Sequence, residues 1–181
     1  MASLTYHEQK DIENIKKLRG LIKELPPFCA DFFRGIEPLT STRTRIAYAY
    51  DLRIFFDFLK TFNSQVARMG ENIPLSVLEQ LTVTDLEEYM EYLKCHPSVN
   101  NEDVYNTERG TMRKVSTLTS FNNYSYRNER IAKNTASLLR PPKLYEKNIT
   151  RSEIDEMPRL RDAAAEGEKR TARHNLYHAR T

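Results

Sequence analysis

The chain has 181 residues, 39% of them hydrophobic, 10% aromatic and 29% charged, with a formal net charge of +3. That size and apolar content provide for one core-burying domain, or one domain and a fragment. No apolar run approaches the roughly 18 residues of a membrane span, which excludes that class, and only five glycines favour helix over sheet.

In chain order, residues 7 to 25 place Ile12, Ile15, Leu18, Ile22 and Leu25 three and four apart, an amphipathic helix that Leu25-Pro26-Pro27 ends. Pro27 opens a short helix turning Phe28, Phe32 and Phe33 inward until Gly35 and Pro38 stop it. From 40 to 63 runs the most regular helix, with Thr40 or Ser41 as N-cap and Thr44, Tyr48, Leu52, Phe55, Leu59 and Phe62 along one face. Asp51, beside Arg53, is expected to form a local ion pair. Met69 to Pro74 reads as a loop. A further helix starts at Thr84, where Thr84-x-x-Glu87 has capping-box form, and turns Leu86, Tyr89, Met90 and Leu93 inward until His96-Pro97. Residues 97 to 108 are polar and turn-rich, a surface loop.

A basic helix follows from about 110 to 127, with Val115, Leu118, Phe121 and Tyr124 as its apolar stripe. Arg109, Arg113, Thr117 and Ser120 form a second, cationic and hydroxylic stripe. Ile131 to Leu139 makes a short helix, and Pro141-Pro142 mark a stiff linker and a domain boundary. Beyond it, Thr150-x-x-Glu153 caps a helix weakened by Pro158, and residues 163 to 181 have no apolar stripe. No strand with period-two alternation stands out. The expected fold is therefore all-α: a bundle of four to five helices over residues 1–143, then an incomplete segment, 144–181.

The overall charge hides a segregation. Residues 71 to 108 carry nine acidic side chains against Lys94 alone, roughly −8. From Arg109 to Lys147, nine basic residues against Glu129 and Glu146 leave about +7, an excess that attracts a polyanion. The bland reading of such a run is the solvated face of a structural helix.

Little else points to chemistry. Cys29 and Cys95 are too few for a disulfide framework and lack zinc-ligand spacing, so both read as reduced, buried thiols in a cytoplasmic protein. His174 and His178 are four apart but have no third ligand, and no metal or other cofactor is expected. There is no phosphate loop and no shaped nucleophile. Tyr48, Tyr89 and Tyr124 fit core stripes, and no small-molecule substrate is implied.

Ser41-x-x-Thr44-x-x-x-Tyr48-x-x-Asp51-Leu52-x-x-Phe55-x-x-Phe58-Leu59 resembles the first helix of the core-binding, SAM-like domain of tyrosine recombinases, the phage-integrase and Xer-type family. Leu81-Thr82-x-Thr84-Asp85-x-x-x-Tyr89-x-x-Tyr92-Leu93 resembles its acidic middle helix. Arg113-x-x-Ser116-x-Leu118-x-x-Phe121-x-x-Tyr124, Ile131-x-x-Asn134 and Pro141-Pro142-Lys143 resemble its last helix and the exit to the catalytic domain. Leu25-Pro26-Pro27-Phe28 and the 97 to 108 loop are similar to the branch found in Gram-positive bacteria and their mobile elements. Asn134-Thr135 departs from the family's Asn-Pro.

The resemblance implies half of a clamp around double-stranded DNA, used in integration and recombination, with other recombinase protomers as further partners. Thr42, Arg43, Arg45, Arg53, Arg109, Arg113, Lys114, Thr117 and Lys143 are the expected DNA contacts. The family's catalytic Arg, Lys, His and Tyr set has no matching position here, so catalysis is expected of a longer parent enzyme rather than of this stretch. The alternative is a helical protein-interaction module whose acidic face at 85 to 91 docks a basic partner. A helix-turn-helix regulator is disfavoured, because no two helices are joined by the short turn that motif needs.

Overall fold

The structure is a computed structural model and describes residues 5–70, 72–97 and 103–140. Among these residues it is all-α apart from one short ribbon. Its helices are α1 (Tyr6–Lys23), α2 (Cys29–Gly35), α3 (Thr42–Phe62), α4 (Ser64–Met69), α5 (Ser76–Gln80), α6 (Val83–Tyr92) and α7 (Glu108–Arg127). Two 3-10 turns, Glu37–Leu39 and Thr135–Leu138, and the strands β1 (Cys95–Pro97) and β2 (Asp103–Tyr105) complete it.

Capping explains where most helices begin. Thr5 and Glu8 form a reciprocal capping box at α1, and Ser41 accepts from the Thr44 amide at 3.1 Å to open α3. The box of α6 lies two residues earlier than the sequence suggested. Thr82 accepts from the Asp85 amide at 3.2 Å while the Asp85 carboxylate accepts from the Thr82 amide at 2.7 Å. Starting there brings Leu86, Tyr89 and Leu93 inward together.

The Met69 to Pro74 loop was expected, but the short helices on either side were not. Asn63 accepts amides from Gln65 and Val66 to start α4, and Gly70 ends it at φ +59°, a conformation that suits glycine. The 97 to 108 loop is also partly ordered as an antiparallel ribbon, His96 opposite Val104, and His96 is buried. The expected helix from Ile131 to Leu139 is reduced to one 3-10 turn. Glu129 adopts φ 53°, which interrupts helical geometry just after α7, and Asn134 offers no cap.

The core is aromatic. Phe32 lies 5.2 Å from Phe121 and 5.5 Å from Tyr124 in edge-on contacts, and Phe55 packs against both Phe56 and Tyr89. Leu52, Leu59, Leu118 and Val115 fill between them. Phe62, expected on the inner face of α3, is 61% exposed, because the helix has run past the edge of the core there. Gly35 touches the Tyr124 ring, leaving no room for a side chain, while the Tyr124 hydroxyl donates to the Asp31 carbonyl at 2.9 Å. Those contacts fix α7 against α2.

Candidate nucleic-acid interface

The inner end of the expected cationic stripe is built around Asp51. This carboxylate lies on α3 among Leu52, Phe55 and Tyr48, and its side chain is 1% exposed. The Arg113 guanidinium reaches it from α7 with two bonds, Nη1 to Oδ2 at 2.7 Å and Nη2 to Oδ1 at 2.8 Å. The Thr117 hydroxyl, one turn along α7, donates to Oδ2 at 2.8 Å. Burial pushes the Asp51 carboxyl above the ordinary carboxylate range, opposed by Arg113, the Thr117 hydroxyl and Lys114. The expected pair with Arg53 does not form, since side chains two apart on a helix point to different faces. Arg53 instead pairs with Glu24 at 3.0 Å and covers the Tyr50 ring.

Lys114 is buried, and its ammonium donates to Asn106 Oδ1 at 2.6 Å. Burial lowers its pKa, Asp51 holds it up and Arg113 adds to the lowering. Asn106 in turn donates through Nδ2 to the Leu93 carbonyl at 2.6 Å, and its backbone amide donates to the Lys94 carbonyl at 3.1 Å. One side chain thus joins α6, the ribbon and α7. Sequence reasoning missed Asn106 altogether. For Asp51 a signal was present: a carboxylate inside an apolar stripe requires a partner from another element.

The nine expected contact residues therefore separate. Thr117, on the expected stripe, is fully buried and Lys114, off it, is 7% exposed, so neither is presented to solvent as expected. Arg113 is half-exposed despite its pairing. Arg45 is mostly buried and pairs with Glu37 at 2.9 Å. Arg43 and Arg109 are exposed and have no salt bridge among the described residues; they stand in the first turns of α3 and α7, with Thr42 half-buried beside Arg43. Each of those helices is capped through one amide, by Ser41 and by Thr107, which leaves further amides of the first turn without a partner among the described residues. Lys143 lies outside the described residues.

Of the other residues noted in the sequence, Cys29 is buried and its thiol is pushed up by desolvation, but Cys95 is exposed, contrary to expectation, because β1 turns it outward. Tyr89 is fully buried, and Tyr48 and Tyr124 pack against the core. No cluster that could hold a metal ion occurs among the described residues. His174, His178, the Pro141-Pro142 linker and the Thr150 capping box lie outside them. No helix among the described residues is long and apolar enough to cross a membrane.

Comparison with known proteins gives the geometry a context. The chain is 32% identical over 148 residues to the tyrosine recombinase XerC of Caldanaerobacter subterraneus subsp. tengcongensis, a match covering 75% of this chain and 39% of that protein. It is 28% identical over 132 residues to the tyrosine recombinase XerS of Lactococcus lactis subsp. cremoris, covering 66% of this chain and 33% of the relative. XerS of Streptococcus uberis is 29% identical over 126 residues, with the same coverage. The chain thus spans between a third and two fifths of the length of the curated relatives it matches. No family model and no solved structure matches it.

Proposed function

This chain is a homologue of the Xer tyrosine recombinases, and on that premise we propose that it is the DNA-gripping part of a site-specific recombinase, half of a clamp around duplex DNA. The homology over most of the chain is the observation that carries this reading. In it, residues 1–143 form a SAM-like core-binding domain, residues 144–181 lead into a catalytic domain, and the reaction served is DNA integration or recombination. Other protomers of the same enzyme are its protein partners.

The exposed cations supply the physical means. Arg43 and Arg109 stand where open amides and the helix dipole favour a phosphate. Thr42 and Lys143 join them as backbone contacts. Arg45 and Arg53, each shared with a glutamate, contribute less charge per side chain. Lys114 and Thr117 act from inside by holding α7, and Arg113 alone of that group reaches the surface. Phosphate contacts dominate the affinity, which falls steeply with salt. Binding of about micromolar strength is expected, since half a clamp forgoes the partner domain's contacts.

The test is elution from a heparin or duplex-DNA column in a salt gradient. Wild-type protein is expected to be retained, and Arg43→Glu with Arg109→Glu to elute at distinctly lower salt with unchanged helicity. Folded protein with no salt-sensitive binding to any duplex would remove DNA as the partner. Retention indifferent to both reversals would favour the interaction-module alternative, for which the exposed Glu87, Glu88 and Glu91 are available.

A further inference from the structure

We infer that Asp51 is a specificity-positioning residue: it cancels the charge of Arg113 and fixes its guanidinium, turning a phosphate-neutralising cation into an oriented reader of neutral acceptors on base edges. The inference deepens the DNA-binding reading and rests on it.

The geometry is the starting point. Both terminal nitrogens of Arg113 are engaged by the two Asp51 oxygens, at 2.7 and 2.8 Å, an end-on pairing. Of the five guanidinium N–H donors, three remain: one on each terminal nitrogen and the one on Nε. These point away from the carboxylate in fixed directions, and the side chain is 49% exposed, so a ligand can reach them. The anchor itself cannot drift. Asp51 is buried on α3, and the Thr117 hydroxyl, fully buried, holds its Oδ2 from the same helix that carries Arg113.

Electrostatics then decides what such a group binds. A free arginine displaces about one counterion when it meets a phosphate. An arginine already neutralised at contact distance gains little from a second anion, which would also approach the Asp51 carboxylate. Hydrogen bonds to uncharged acceptors, such as guanine O6 and N7, carry no such penalty. The fixed orientation adds a geometric filter, because donors that cannot swing accept fewer base arrangements. Arg43 and Arg109, with no carboxylate partner among the described residues, are left to supply sequence-independent grip. The fold thus separates affinity from discrimination in different side chains.

Anisotropy titrations of the full chain against a duplex pool on the order of 30 base pairs, with randomised sequence, test this between about 50 and 300 mM salt. Asp51→Asn is expected to steepen the dependence of log K on log salt by about 0.9, one added phosphate contact. The double variant Asp51→Asn with Arg113→Gln should return to the wild-type slope. Arg113→Lys keeps the charge pair but loses the two-pronged geometry. It should keep the wild-type slope, while sequence enrichment from the pool drops to the level of the double variant. Circular dichroism establishes that each protein is folded. If Asp51→Asn fails to fold, the comparison of Arg113→Lys with wild type decides alone. Equal slopes for folded Asp51→Asn and wild type, or undiminished enrichment by Arg113→Lys, would overturn the inference and leave the DNA reading standing. Absence of salt-dependent duplex binding by every variant would remove both.

Discussion

Asp51 shows how one carboxylate sets conditions for its neighbours. Its burial costs more than its partners return, so its pKa lies above the ordinary range even with Arg113 in place. Such a group holds its proton more tightly folded than unfolded. Its penalty is absent below the unfolded carboxylate pKa, near about 4, and grows as pH rises through the folded value. Removing Arg113 withdraws the first opposing influence and pushes the carboxyl higher still. Arg113→Met is therefore expected to cost about 3 kcal/mol at neutral pH, the low end for a broken buried pair because Arg113 is half-exposed. That loss should shrink as pH falls below about 4, where Asp51 becomes protonated in both states. Urea melts across this range check the sign; a loss that grows towards acid would contradict it.

Between elements, the decisive joint is Asn106, where the ribbon, the end of α6 and Lys114 of α7 meet. Asn106→Ala leaves a buried ammonium without that acceptor and should cost about 3 kcal/mol in urea unfolding. Replacing Lys114 by Met in the same protein should recover part of the loss, since an apolar group needs no partner there. Equal loss in single and double variants would show that the ribbon contact alone matters. The contrast with the long helices explains what the sequence could reveal. Periodicity is a local signal, so α1, α3 and α7 are legible from apolar spacing, and of Thr40 and Ser41, which precede the stripe, Ser41 takes the cap. The short helices α4 and α5 carry too few turns for a period. Asn106 lies in a polar stretch that reads as a loop, and its partners are 13 residues back and 8 ahead. Thr117 is buried although its spacing puts it on the cationic stripe, because spacing gives a face but not what covers it.

At the scale of the molecule, the segregated charge does not resolve as neighbouring blocks cancelling through salt bridges among the described residues. The salt bridges of Arg45, Arg53, Arg113 and Arg130 go to Glu37, Glu24, Asp51 and Asp31, all from the first third of the chain. The glutamates of α6 stay exposed, and Arg43, Arg109 and Arg127 stay exposed without salt bridges among the described residues. Cationic surface therefore survives folding, which is what the column experiment depends on. The exposure of Arg43 and Arg109, in the first turns of their helices, needs no tertiary partner and agrees with their expected positions. Arg113 needed the fold before its constraint could be seen.

The two thiols differ in a way that equips the protein for measurement. Cys95 is accessible while Cys29 is sealed beneath the aromatic cluster. A maleimide dye should therefore couple to one position in the native state without any engineered change, and to a second only after urea opens the chain. The rate of that second coupling reports how often the interior becomes transiently reachable, so a single unmodified sample yields both a fluorescent handle and a clock for its own opening.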